Sequence, residues 1–369
     1  MLGYETDEVG AAQVNHCSRE LFLGRQRSIA ATSVVEALRC SLGLTSDMTT
    51  DISWFLTRTL AWRNSPLIVV LKENAQPTAA VLLYSRQYLG IPTGVIKGGN
   101  RSGDGLVIAA AGQRVAAVKA AISAVLALPW VHTVLVSMQE TALPEQMTSL
   151  PLLFDCVWHS REVGTRLSLE GGFEGFLSRL RPRSRRNYRY FRRRAENEMR
   201  LTFLPDLQPT DAMQAVEELH GVGMYPLPRA RAQRLEAAIR GTQGYFAMGL
   251  RDAAGRWISY LSGWRQTEGT FVEWQLNHHD LQAASLSTVM RTYFLEHEAI
   301  NGVTQVVFVG GTSEALGRYC MQDCCFDLLA THHGIRGRVT REITTRLHPR
   351  GQAALLMRDK APAAESKPD

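Results

Sequence analysis

Between Tyr245 and Asn277 stand three strand-like runs, "YFAMGLR", "RWISYLSGWR" and "TFVEWQLN", separated only by turn formers. No other stretch limits the folding of this chain as much. Asp252-Ala253-Ala254-Gly255 joins the first pair and Glu268-Gly269 the second. Runs of this length with short glycine-containing connections fold back on one another, so they specify an antiparallel meander. A helix follows from about Ser285 to Asn301, stopped by Gly302, and then "TQVVFVG", whose nearly continuous apolar character suits a strand covered on both faces. A helix from Ser313 to about Met321 and a last strand, "FDLLATHH", complete the order. Upstream, "MRLTFLP" reads as a strand, with helices from about Pro209 to Leu219 and from Pro228 to Ile239.

The first half repeats the later part of that order more loosely. "PLIVVLKEN" and "TAAVLLYSRQY" make a hairpin over Gln76-Pro77, and "GLVIAAA" is a third strand. A helix from Gly112 to Leu128 leads to the strands "HTVLVSM" and "LLFDCVWHS". The two halves do not align residue by residue, so what recurs is the order of elements. A chain of 369 residues is long for one core and is expected to form two domains. With 45% hydrophobic and 21% charged residues it has the composition of a folded soluble protein, and only the polar, Pro- and Ala-rich tail from Arg358 reads as disordered. No signal-peptide layout and no apolar run of about 18 residues is present, so a cytoplasmic protein is expected. The six cysteines lack framework spacing and read as reduced thiols.

The net charge of +6 is local. From Arg179 to Arg194 there are nine arginines and no acid, and the rest of the chain is slightly acidic. Phe173, Phe176, Leu177 and Leu180 form the stripe of a short helix that Pro182 breaks. Ser184 then caps a second helix to about Glu198, with Tyr188, Phe191, Ala195 and Met199 on its apolar stripe. Arg185, Arg186, Arg189, Arg192 and Arg193 are left on its remaining surface. The run is either a solvated face, or a site for a polyanionic ligand, or a surface for nucleic acid.

Three features together resemble one group of enzymes: the arginine-rich helix pair "FEGFLSRLRPRSRRNYRYFRRRAENE", the polar strand "FVEWQLNHHD" before a small-residue helix start, and "VVFVGGTSEALGRYC". The chain looks like the tandem-GNAT acyltransferases called CelD-like, relatives of the FemAB transferases. The resemblance spans roughly residues 50–345 and is most specific over 172–320. It implies an α/β (α+β) chain of two tandem GNAT-like domains, each a mixed, mostly antiparallel sheet flanked by helices. A degenerate first unit would cover about residues 1–165, an active second unit 166–347, and a disordered tail 348–369.

The activity implied is acyl-CoA-dependent transfer, with acetyl-CoA the expected donor, to the amine of a small acceptor such as an envelope-polysaccharide precursor or another secondary product. FemAB relatives take the acyl group from aminoacyl-tRNA instead, which keeps tRNA as a partner for the arginine run. A non-catalytic interaction protein with this fold is a further alternative. In GNAT enzymes a Gln/Arg-x-x-Gly-x-Gly/Ala loop holds the donor pyrophosphate at a helix N-terminus. The matching residues are Gln282, Ser285, Leu286 and Ser287, with serine at both glycine positions. Free N–H groups and the helix dipole still favour an anion there, although a Cβ hinders close backbone approach. An ordinary helix cap at Ser285 or Ser287 is the competing reading.

Aminolysis of a thioester needs a base for the amine and an acid for the leaving thiolate. Glu273 is the candidate base. Alternation puts Phe271, Glu273, Gln275 and Asn277 on one face, either lining the site or facing solvent. Tyr319 corresponds to the tyrosine that protonates the thiolate in many GNAT enzymes. Relatives often carry a lysine just after an aromatic here, whereas this chain has Cys320, with Arg318 the nearby cation. Arg185, Arg189 and Arg192 are the candidate phosphate-binding residues on the basic helix. His278-His279-Asp280 and Cys320-x-x-x-Cys324-Cys325 with His332-His333 lack the spacing that orients ligands toward one ion, so no metal is expected.

Overall fold

A computed structural model of the chain describes residues 17–44, 51–60, 64–98, 107–138, 154–223, 229–241, 244–267, 269–309 and 314–332, together with 227, 312, 335, 339 and 342. The tail expected to be disordered, 348–369, lies outside the described residues. The first half runs β1 (Cys17–Leu23), α1 (Arg25–Ala30), α2 (Thr32–Ser41), α3 (Ile52–Leu60), β2 (Asn64–Glu73), β3 (Gln76–Tyr88), β4 (Ile91–Gly98), β5 (Val107–Ile108), α4 (Arg114–Leu126), β6 (Thr133–Met138) and β7 (Phe154–Ser168). The second half runs α5 (Gly172–Arg179), α6 (Pro182–Asn197), β8 (Thr202–Leu204), α7 (Pro209–Val222), α8 (Arg229–Gly241), β9 (Tyr245–Arg251), β10 (Trp257–Gln266), β11 (Gly269–Asn277), α9 (Leu286–Ile300), β12 (Gln305–Phe308), α10 (Glu314–Gly317) and β13 (Met321–His332).

The expected repeat of element order is present. In each half a strand and a group of helices precede an antiparallel meander, β2-β3-β4 or β9-β10-β11. A helix then crosses over to a strand parallel to the last of the meander: β6 beside β4, and β12 beside β11. The halves differ from the expected pair of sheets in being joined. One sheet runs β1-β2-β3-β4-β6-β13-β7-β12-β11-β10-β9-β8, with β5 pairing on β3 off this path. The join is an exchange of final strands, since β13 pairs with β6 and β7 pairs with β12. β7 and β13 pair with each other at the centre.

Apolar side chains bury both faces of each half. Val69, Val81, Val134 and Leu328 pack under α4, while Ile68, Val70, Ala80 and Leu82 pack under α1–α3. In the second half Met248, Leu250, Leu261 and Val306 meet α5, α6 and α9. Trp257, Tyr260, Trp264 and Trp274 meet α7 and α8 on the other face.

Several local expectations are corrected. The chain breaks between two helices at Pro182 as expected, but the second starts at Pro182 itself, where its fixed φ fits and its missing N–H costs nothing; Arg181 is the N-cap residue and Ser184 lies inside the helix. The β2–β3 turn sits on Asn74 and Ala75, both with positive φ, rather than on Gln76-Pro77. β4 was not anticipated, because Pro92, Thr93 and Gly94 mask its pattern. The helix expected from Ser313 to Met321 is four residues long, and the chain turns into β13 at Met321. Cys324 therefore belongs to a strand and does not share a helix face with Cys320.

Candidate active site

The parallel pairing of β11 with β12 covers only Thr270–Val272 against Val306–Phe308. One more bond, from the Val309 N–H to the Val272 carbonyl at 2.9 Å, closes the ladder. β12 ends at Phe308, while β11 runs on to Asn277.

A β-bulge decides what the end of β11 presents. Ser262 of β10 faces Trp274 while its neighbour Gly263 faces Val272, so Glu273 is an extra residue without a partner. The backbones approach so closely here that a Cβ on Gly263 would lie 1.7 Å from the Phe271 carbonyl oxygen. An isolated glycine inside "SYLSGWR" is the sequence signal for such a bulge. Because the bulge shifts the alternation, Phe271, Glu273, Gln275 and Asn277 do not share one face as expected. Phe271, Trp274 and Leu276 pack with α7 and α8, and Val272 with α9. Glu273 reaches α8, where its Oε1 accepts a hydrogen bond from Arg234, and both side chains are nearly buried, 11% and 9% exposed. The solvent-face alternative for Glu273 does not hold. Arg234 also lies over the Trp274 ring, 5.5 Å from its centroid.

Gln275 and Asn277 turn instead to α9. Asn277 Nδ2 donates to Ser287 Oγ at 3.0 Å and its Oδ1 accepts from Ser259 Oγ at 2.7 Å. Gln275 Nε2 donates to the Ser287 carbonyl at 3.4 Å, and Gln275 Oε1 accepts from Arg291 Nε at 3.1 Å. These amides fix the head of α9 against the end of β11.

At that head Ser285 occupies the N-cap position in a left-handed conformation, φ 51° and ψ 45°, and makes no side-chain capping bond. The turn thus keeps the backbone that glycine usually supplies, at some steric cost to serine. Leu286 and Ser287 are the first helical residues, and their N–H groups are free of any side-chain cap, which suits an oxyanion. The Gln282 side chain lies outside the described residues.

Tyr319 faces the opposite end of the arginine-rich helix. Its hydroxyl accepts the Arg181 N–H at 3.0 Å. That bond, a second from the Ser184 hydroxyl, and the charges of Arg181 and Arg318 hold its pKa below the usual phenol value. Tyr188, beside it on α6, is pushed up to about 12, chiefly by burial. Cys320 is a half-buried thiol whose Sγ donates to the Leu316 carbonyl at 3.4 Å.

The predicted arginine set divides. Arg185 donates to the Ser178 and Leu180 carbonyls at the end of α5. Arg192 binds Glu196 at 2.9 Å and Glu296 of α9 at 2.6 Å and lies over the Tyr293 ring. These two are therefore not on the open surface as expected. Arg189 stays exposed, 3.4 Å from Glu174. Arg183, Arg186, Asn187, Arg189, Tyr190 and Arg193 line an open hollow on the outer face of α6. Elsewhere, His278, His279 and Asp280 bring ligand-type atoms within 4.8 Å of one another, but His279 Nδ1 shares a hydrogen bond with the Val222 carbonyl at 2.9 Å.

In sequence, no protein-family model and no curated protein matches the chain. Solved structures do match it in fold. FemX is similar with a TM-score of 0.56 at 8% identity, covering 81% of this chain and 95% of its own. L-PGS from Bacillus licheniformis follows at 0.54 and 10%, covering 86% and 97%. The C-terminal domain (DUF2156) of a putative lysylphosphatidylglycerol synthetase from Agrobacterium fabrum is similar at 0.53 and 10%, covering 85% and 96%. The fold is the tandem GNAT-like one. No helix among the described residues is long and apolar enough to cross a membrane.

Proposed function

We propose that the chain is an acyl-CoA-dependent N-acyltransferase whose second unit, about residues 166–347, carries the site, the first unit being degenerate. The observation that supports this most is the uncapped start of α9 held beside the end of β11 by Gln275 and Asn277, past the short pairing of β11 with β12. The N–H groups of Leu286 and Ser287, with Gln282 beside them, hold the donor's pyrophosphate. Glu273, whose Oε1 is held by Arg234, takes the proton from the attacking amine through its other carboxylate oxygen, and the nitrogen adds to the thioester carbonyl. Collapse of the adduct breaks the C–S bond, and Tyr319 gives its proton to the departing thiolate. The acceptor is a small amine, an envelope-polysaccharide precursor or another secondary product, met in the cytoplasm.

Calorimetry with acetyl-CoA and with free CoA tests the donor. Binding of both, with Glu273→Gln lowering kcat by about 10²-fold and leaving the donor KM nearly unchanged, is the expected result. No binding of either at millimolar concentration would overturn the acyl-CoA reading.

The second reading, an aminoacyl-tRNA-dependent transferase, is favoured by the hollow on α6. Four arginines surround an exposed Tyr190 there, a combination that can hold a phosphate backbone and stack a base.

A further inference from the structure

Arg291 differs from the other arginines packed into the second half. Arg192, Arg234, Arg251 and Arg265 each face a carboxylate: Glu296, Glu273, Asp211 and Glu298. Arg291 faces none among the described residues. Its Nε is tied to Gln275 Oε1 at 3.1 Å, and its guanidinium carbon lies 5.3 Å from the centroid of the Phe308 ring. It therefore bridges Gln275 of β11 and Phe308 of β12 with its fork held in one orientation, while Nη1 and Nη2 make no hydrogen bond to a described residue. Burial also lowers its pKa, the sign of a cation poorly compensated by its surroundings.

The neighbouring groups are donors. Ser287, one turn earlier on the same helix face, accepts from Asn277 and retains its own hydroxyl proton. Tyr188 lies within electrostatic reach of Arg291, and burial keeps its phenol protonated. A fixed guanidinium and two hydroxyls with no opposing anion make a place for one negative charge. A single cation balances a carboxylate, whereas a phosphate monoester carries about 1.5 to 2 charges and calls for more.

We propose that Arg291, with Ser287 and Tyr188, forms a carboxylate-binding pocket beside Gln275 of β11 and Phe308 of β12, so that one of the two transfer substrates bears a carboxylate. This deepens the acyltransferase reading and rests on it for the identity of the substrates, but not for the pocket.

The pocket alone is tested by thermal melting with succinate. Millimolar succinate should raise the melting temperature of the wild type and not that of Arg291→Gln, with Arg291→Lys in between because it keeps the charge and loses the fork. Without ligand, Arg291→Gln should melt no lower than the wild type, since an uncompensated cation is removed. A lower melting temperature, or a succinate shift equal in both proteins, overturns the pocket whether or not any CoA ester binds.

Two further arms locate the carboxylate. If it belongs to the donor, succinyl-CoA should bind at least ten-fold more tightly than acetyl-CoA, and Arg291→Gln should erase the difference. If it belongs to the acceptor, the two esters should bind alike. An amino acid should then be acylated with a kcat/KM at least ten-fold above that of its methyl ester, a preference lost in Arg291→Gln. Absence of both preferences overturns the substrate assignment. Failure of both CoA esters to bind, with the succinate shift intact, instead places the fault in the acyl-CoA reading.

Discussion

At the scale of single residues, the same chemistry reads differently according to what each side chain meets. Glu273 was legible as a carboxylate in the right strand, but its bulge was not, because the bulge is a property of Gly263 on the neighbouring strand and of register between them. Arg234, its partner, lies 39 residues away in sequence, a distance at which spacing carries no signal. Tyr319 was found by its place after β12, whereas its contact with the Arg181 N–H comes from the tertiary docking of α6. That contact gives a prediction. An acid must be protonated to act, and the Tyr319 phenol is held below its ordinary value by the Arg181 N–H first of all. The rate with saturating donor should therefore fall as pH rises through an apparent pKa below about 10, the free tyrosine value. In Tyr319→Phe the rate should be lower and this alkaline limb absent. A limb that persists unchanged in Tyr319→Phe would remove this residue from the proton path.

At the scale of elements, α6 shows how far periodicity reaches. Its apolar stripe of Tyr188, Phe191, Ala195 and Met199 packs into the core as the sequence pattern requires. The opposite surface could not be divided by pattern alone, since seven closely spaced arginines look alike until neighbouring helices choose among them. α5 takes Arg185 through its terminal carbonyls, and α9 takes Arg192 through Glu296 and Tyr293. Arg183, Arg186 and Arg193 stay in the open hollow. Two sets of substitutions should therefore behave differently. Arg192→Gln breaks the clamp between α6 and α9 and should lower stability by about 1 kcal/mol, the scale of a partly exposed charged hydrogen bond. Replacing Arg183, Arg186 and Arg193 together with Gln should leave the melting temperature nearly unchanged, because the helix propensities are similar and the bond lost, from Arg193 Nε to the Arg189 carbonyl at 3.4 Å, is exposed and local to the helix. The triple variant should instead weaken binding of a tRNA and flatten its dependence of log K on log salt by about 0.7 per single-stranded phosphate contact removed. Equal tRNA affinity and slope in wild type and variant would make this face a solvated one.

At the scale of the whole molecule, element order revealed the repeat, but the exchange of β7 and β13 left no mark in the sequence. The consequence is energetic. β13 supplies the neighbour of β6, so the sheet of the first half is completed by the last described strand of the chain. Trp54 of α3 adds a second link, packing against Trp264 of β10 with ring centroids 5.2 Å apart. Each half thus depends on the other for buried backbone hydrogen bonds and aromatic contact, and neither presents a closed sheet without it. Urea unfolding should accordingly be one cooperative transition. A probe attached at exposed Ile300 in the second half should report the same midpoint as one attached at exposed Tyr88 in the first. A chain truncated after Ser168 should expose the open edge of β6 and aggregate or remain unfolded, despite containing every element of its own half. Two separated midpoints, or a soluble truncated chain with a cooperative melt, would mean that the units stand alone and that the exchange at the centre of the sheet contributes little.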